Sequence, residues 1–167
     1  MTLDEYKNEI KELRERLEKL EAEKIEKPQP KRWKPKVNDK YYVTLTDGDI
    51  VGMHWDNDAE DNLRYLFGNC FQTKEEAVEY KKQIEYTARY KNYIEEHSEP
   101  IDWEGEQKKW YAEFDTEDGN IEVNCVYGYK VQGVIHASSE QIIKDAIKEI
   151  GEDNFKKYVL GVKWKTF

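Results

Sequence analysis

The apolar residues of this chain keep two different rhythms. At the N-terminus Leu3, Tyr6, Ile10, Leu13, Leu17 and Leu20 are spaced alternately three and four apart, with Glu, Lys and Arg in nearly every position between. That is the a/d seam of an amphipathic helix over residues 2–27. Thr2 and Glu5 make a capping box at its start, and pairs such as Glu15 with Lys19 support it four residues apart. Lys24 and Lys27 break the seam after three heptads. A helix packed on its own domain carries a wider apolar stripe, so the narrow seam predicts a coiled coil that self-associates.

Beyond residue 40 the rhythm shortens to that of strands, and one order of parts occurs twice. The first run is Tyr41-Tyr42-Val43-Thr44-Leu45, the turn Asp47-Gly48, then Ile50-Val51-Gly52-Met53. After a gap, Phe71 and Thr73 open a helix at Lys74-Glu75-Glu76-Ala77. The second run is Trp110-Tyr111-Ala112-Glu113-Phe114, the turn Asp118-Gly119, then Ile121-Glu122-Val123. After a similar gap, Ile135 and Ser138 open a helix at Ser139-Glu140-Gln141-Ile142. Asp-Gly between β-branched and aromatic runs signals a hairpin. Neither unit buries its apolar face alone, so the two are expected to share one sheet or core.

The remaining segments fill in this frame. Residues 55–62 read as an acidic loop, 63–67 as a third strand ended by Gly68-Asn69, and Thr73 with Glu76 as the cap of a helix reaching about Glu96. In the second unit 124–134 supplies the third strand, and Ser138 with Gln141 repeats the capping box. The helix 139–150 has Ile142, Ile143, Ala146, Ile147 and Ile150 as its apolar face and Gly151 as its stop. Residues 153–160 read as a closing turn or helix and 162–167 as a last strand. The expected fold is α+β: an N-terminal coiled-coil-like helix (1–27), a basic Pro-rich linker (28–40), and a domain (41–167) of two pseudo-repeated ββ(β)α units, 41–97 and 108–162, sharing an antiparallel sheet.

Composition narrows the function classes. The 167 residues are 13% aromatic, with twelve Tyr and five Trp, and carry a net charge of −9. Phosphate neutralisation needs an excess of Lys and Arg, so direct sequence-specific nucleic-acid binding is not expected. The opposite role is open: an acidic protein docking on a basic groove. Cys70 and Cys125 lie far apart outside any metal or redox spacing and read as two thiols of a cytosolic protein. The charged N-terminus has no signal-peptide pattern and no apolar run is long enough to span a bilayer, which places the protein in the cytoplasm.

Little in the sequence resembles a catalytic constellation. His54, His97 and His136 are scattered, so no metal site is called for. The run 56–61 begins like a calcium loop, but Asp61 and Phe67 stand where the loop needs glycine and a distal glutamate. Phosphate-cradling and nucleophile-elbow motifs are missing, and Cys70 reads as a small buried hydrophobe. The expectation is a binding protein without cofactor, not an enzyme.

Trp33, Tyr41-Tyr42, Asp47-Gly48 and then Gly68-Asn69-Cys70-Phe71-Gln72-Thr73-Lys74-Glu75-Glu76-Ala77 resemble a pattern in small accessory proteins of phages and prophages of Gram-positive bacteria. There, Gly-Asn-x-Phe-x-Thr-x-Glu-Glu-Ala follows a tyrosine-rich hairpin. The ending Gly151-Glu152-Asp153 through Lys157-Tyr158-Val159-Leu160-Gly161-Val162 is similar too, so the resemblance covers about 33–162. It implies a mobile-element origin, and with it counter-defence proteins, anti-CRISPR inhibitors among them, as the leading class.

The function expected is therefore a non-catalytic inhibitor that binds a bacterial defence protein, a CRISPR nuclease first among them, through acidic surfaces. Glu99, Asp102, Glu104 and Glu106 around Trp103, with Glu117 and Asp118 of the second turn, are the candidate contacts. Leu3, Tyr6, Ile10, Leu13, Leu17 and Leu20 are the candidate oligomerisation seam. Two other readings are a sponge for a nucleotide signalling molecule, stacking bases on Tyr and Trp, and a phage structural or assembly accessory protein.

Overall fold

Two Asp-Gly turns fold the strand-forming runs into hairpins. In the computed structural model, which describes residue 6, residues 10–17 and residues 32–162, β1 (Lys40–Thr44) pairs antiparallel with β2 (Ile50–His54). Gly48 adopts φ 87°, a conformation that only glycine takes without strain, and Asp47 Oδ1 accepts the Asp49 N–H at 3.0 Å. β3 (Lys109–Phe114) pairs with β4 (Ile121–Val126), Lys109 opposite Val126 and Phe114 opposite Ile121.

The hairpins form separate two-stranded sheets, not the single shared sheet expected. Neither third strand forms where the sequence predicts it: residues 63–66 lie in a helix, and of 124–134 only 124–126 are strand, as the end of β4. Each hairpin instead gains a one-residue bridge from the segment just before a helix. Tyr42 and Phe71 exchange backbone hydrogen bonds of 2.9 and 3.0 Å, and Trp110 and Ala137 exchange bonds of 3.0 and 2.8 Å. Two residues beyond each bridge lies a helix N-cap, Thr73 or Ser139, so the chain turns away before a ladder can extend.

Four α-helices follow in the described domain. α1 is Ala59–Leu66, α2 Lys74–His97, α3 Glu140–Ile150, and α4 a single turn, Glu152–Asn154, that continues into a π-helical turn at Phe155–Val159. Thr73 caps α2 as expected: its hydroxyl accepts the Glu76 N–H at 3.2 Å, and Glu76 Oε2 accepts the Thr73 N–H at 3.2 Å. The cap of α3 is Ser139, whose Oγ accepts the Ile142 N–H at 3.4 Å, and not Ser138. Gln141, expected to complete a box with Ser138, donates instead to Asp145.

α2 is 24 residues, about 36 Å, long enough to serve both hairpins. Near its start Ala77 is buried, its carbonyl accepting the Thr44 hydroxyl at 3.5 Å, and Tyr80 packs against Phe71. Farther along, Tyr90 and Ile94 join Ala112, Ala137, Ile143, Ala146, Ile150 and Phe155 in the main core. Tyr90 meets Phe155 edge-to-face at 4.8 Å. Glu79 ties the same helix to the π turn through Lys157 at 2.7 Å, and the Lys157 ammonium holds the Glu79 carboxyl below its ordinary range.

The chain divides into two compact units, Met1–Lys34 and Pro35–Phe167. Residues 35–39, read as the end of the linker, belong to the second: Pro35 is buried, and Asn38 and Asp39 exchange backbone hydrogen bonds with Trp55. In the first unit residues 10–17 are helical. Leu3 and Leu20 of the seam, the Pro28 and Pro30 stretch and residues 163–167 of the expected last strand lie outside the described residues.

Candidate interaction site

The segment 98–107 leaves α2 and enters β3 across the face of the second hairpin that points away from the core. Its backbone is pinned at several points. The Glu99 N–H donates to Ser138 Oγ at 3.0 Å, and the Ser138 N–H donates to Ser98 Oγ at 3.3 Å. Asp102 Oδ1 accepts the N–H groups of Glu104 and Gly105 at 3.1 and 2.9 Å, while the Asp102 N–H donates to Gln107 Oε1 at 2.7 Å. Lys109 is wholly buried beneath, and its ammonium donates to the carbonyls of Gly105 and Gln107 at 3.3 and 3.2 Å.

Trp103 sits at the crest of this connector, 41% exposed, neither in the core nor detached from it. Its ring stands edge-to-face on His136 at 5.4 Å, and Tyr111 approaches His136 from the strand at 5.6 Å. Lys130 Nζ lies 5.2 Å from the Trp103 ring centre, a cation–π contact. His136 is buried, and neither ring nitrogen has a hydrogen-bond partner. Burial lowers its pKa, and the Lys130 charge lowers it further; the Val134 backbone opposes the shift, and the Lys109 charge adds the smallest lowering.

All seven acidic and aromatic residues nominated from sequence are exposed. The structure gathers Glu99, Asp102, Trp103, Glu104 and Glu106 in one connector. Glu117 and Asp118 are not with them: their N–H groups cap Asp115 in the β3–β4 turn, about 20 Å away along β3. Of the oligomerisation residues, Tyr6, Ile10, Leu13 and Leu17 are exposed by 52, 50, 60 and 59%.

Of the expected acidic loop 55–62, residues 55–58 are a loop and 59–62 open α1, which runs on through 63–66 of the expected strand. Asp58 N-caps α1, its carboxylate accepting the Asp61 N–H at 2.8 Å. Asp61 is 4% exposed and fully engaged. It accepts from Tyr41 Oη at 2.5 Å and from the N–H groups of Asp56 and Asn57 at 2.7 and 3.0 Å, with Arg64 at 3.7 Å. Burial alone would raise its pKa, but these donors and the Arg64 charge outweigh it and hold the carboxyl below its usual range. Tyr41, buried and bonded to that carboxylate, is pushed up to about 12. Trp55 closes the cluster, edge-to-face with Tyr41 at 5.6 Å and Tyr65 at 6.3 Å.

The sequence reading missed two things here: His136 as the floor under Trp103, and the outward side of α1, where Leu63, Leu66 and Phe67 are exposed by 52, 70 and 74%. The spacing of those three, i, i+3 and i+4, was the available signal for a helix. A cavity of about 340 Å³ beside α3, floored by Ile121, Val123 and Ile147, contains none of the nominated residues. Among the described residues no helix is long and apolar enough to cross a membrane, and no group of three or more His, Cys, Asp or Glu could hold a metal ion. No family model, curated protein or solved structure matches the chain.

Proposed function

We propose that this chain is a non-catalytic, phage-encoded inhibitor whose α2–β3 connector docks on the basic, nucleic-acid-binding groove of a bacterial defence protein, with a CRISPR nuclease the first class to test. One observation carries the reading: Trp103 is presented on a backbone already fixed by Ser138, Asp102, Gln107 and Lys109, amid four exposed acids. A preorganised anchor loses little conformational freedom on binding, and a partly exposed Trp is the side chain that most often concentrates interface energy. The acids supply long-range steering toward a positive groove.

Two finer features of the fold belong to the same proposal. The matching bridges and caps support reading 41–97 and 108–162 as copies of one ββα design, the second providing the dock. The exposed Tyr6, Ile10, Leu13 and Leu17 seam sets a coiled-coil oligomer that presents more than one connector. The experiment is a binding screen of the purified protein against defence effectors and signalling nucleotides, followed by nuclease inhibition for any effector bound. Tight binding of a basic effector is the expected result. Binding of a nucleotide alone would replace the inhibitor reading with that of a sponge.

A further inference from the structure

α1 is an amphipathic helix turned inside out. At 100° per residue, Asp61, Arg64 and Tyr65 share the side that faces the domain, where Asp61 and Arg64 meet Tyr41. Ala59, Leu63, Leu66 and Phe67 share the opposite side and face solvent. Surface helices bury their apolar stripe and expose the polar one. Here the buried side is held by hydrogen bonds, an ion pair and the Tyr65–Trp55 ring contact, and among the described residues the apolar side is not what seats the helix. Together the three large side chains offer roughly 300–400 Å² of apolar surface, the scale at which patches on single proteins become functional.

The surroundings select the occupant. Asp56 and Asp58 are exposed beside the N-terminal end of the patch with no basic partner among the described ion pairs, while Glu60 and Arg64 pair with each other. The border is therefore negative, which disfavours an anionic membrane or a nucleic acid. The patch is also well short of the ~800 Å² per partner of a stable interface between globular surfaces, so it fits a single helix better than a second copy of the chain. We infer that the Leu63, Leu66 and Phe67 face of α1 is a docking site for an amphipathic helix of a partner protein, one whose apolar stripe is edged by Lys or Arg. The inference stands on α1 alone and does not require the Trp103 connector to be a site.

The probe is a Leu/Lys amphipathic helical peptide titrated into the full chain by calorimetry, with backbone NMR shifts locating the contact. The controls are a scrambled peptide of the same composition and a Leu/Glu peptide. The Leu/Lys peptide is expected to bind with shifts centred on α1, and Leu66→Ser with Phe67→Ser to weaken it at least tenfold while leaving the melting temperature unchanged. The Trp103→Ala variant, which alters the connector without changing the charge, should bind the peptide like the unaltered chain. Loss of binding in that variant would move the contact to the connector and overturn the α1 site, leaving the connector reading intact. Equal binding of the scrambled peptide, no binding, a lowered melting temperature in the serine variant, or a self-association that the serine variant abolishes would each overturn it as well.

Discussion

Replacing Asp61 by Ala tests the account of how the first hairpin and α1 are held together. The side chain removed accepts three hydrogen bonds and faces Arg64, and it is 4% exposed. The Tyr41 hydroxyl lies in the interior and keeps its bond from Arg64, at 3.1 Å, and a long, weak one to Met53 Sδ, at 4.0 Å. Loss of a charged acceptor there costs about 1.5–3 kcal/mol. The N–H groups of Asp56 and Asn57 belong to exposed residues that water can reach, so each adds only about 0.5–1 kcal/mol. The total is about 2.5–5 kcal/mol, overlapping the range found when one partner of a buried charge pair is deleted. Asp61→Asn, which keeps an acceptor, should cost about half as much, and the Tyr41→Phe and Asp61→Asn pair should couple by 1 kcal/mol or so. Urea unfolding followed by Trp fluorescence measures all of these, with Trp55 packed against Tyr41 as a local reporter. Because the folded carboxyl titrates below the ordinary 3.8, its contribution is complete above that pH and is lost as the pH falls through the lower value. An Asp61→Ala protein within 1 kcal/mol of the unaltered one at neutral pH would refute the reasoning.

Other outcomes follow from the same structure. Thr73→Ala and Ser139→Ala should each destabilise by about 1 kcal/mol in chemical unfolding, and Ser138→Ala should act instead on the connector, raising amide exchange at Glu99. His136 should titrate below 6.5 in an NMR pH series, since burial and the flanking lysines disfavour its charged form. The stability it provides is complete above pH 6.5 and declines as the pH falls from there toward its own lower pKa. Leu13→Asp with Leu17→Asp should lower the oligomeric state in light scattering without unfolding residues 41–162; a monomer mass for the unaltered chain would exclude the coiled coil.

The sequence was most readable where one residue has one local job. Asp47-Gly48 demands a turn that glycine alone enters freely, and Thr73 with Glu76 satisfies the first N–H groups of α2 through the side chains expected of them. It was least readable where a long-range contact decides. The run 63–67 is short enough to suit either strand or helix by its apolar content, and the deciding fact is Asp61 reaching back to Tyr41 twenty positions earlier. Ser138 and Ser139 have the same chemistry at adjacent positions. Only the Ala137 bridge to Trp110 fixes which one meets the helix and which one meets Glu99. The acidic and aromatic content of 99–106 was legible, yet its rigidity was not, because it comes from Lys109 buried beneath it and His136 brought from another loop.

The most direct test of the connector as the docking element is a titration across ionic strength against the effector identified in the screen. The unaltered chain is compared with the one carrying Glu99→Lys, Asp102→Lys, Glu104→Lys and Glu106→Lys together. Steering by exposed acids predicts affinity that falls steeply as salt rises, since screening lengths shrink to about 10 Å at 0.1 M, and it predicts that the reversed variant fails to bind even at low salt. Undiminished affinity of the reversed variant at low salt would contradict the acidic docking mechanism.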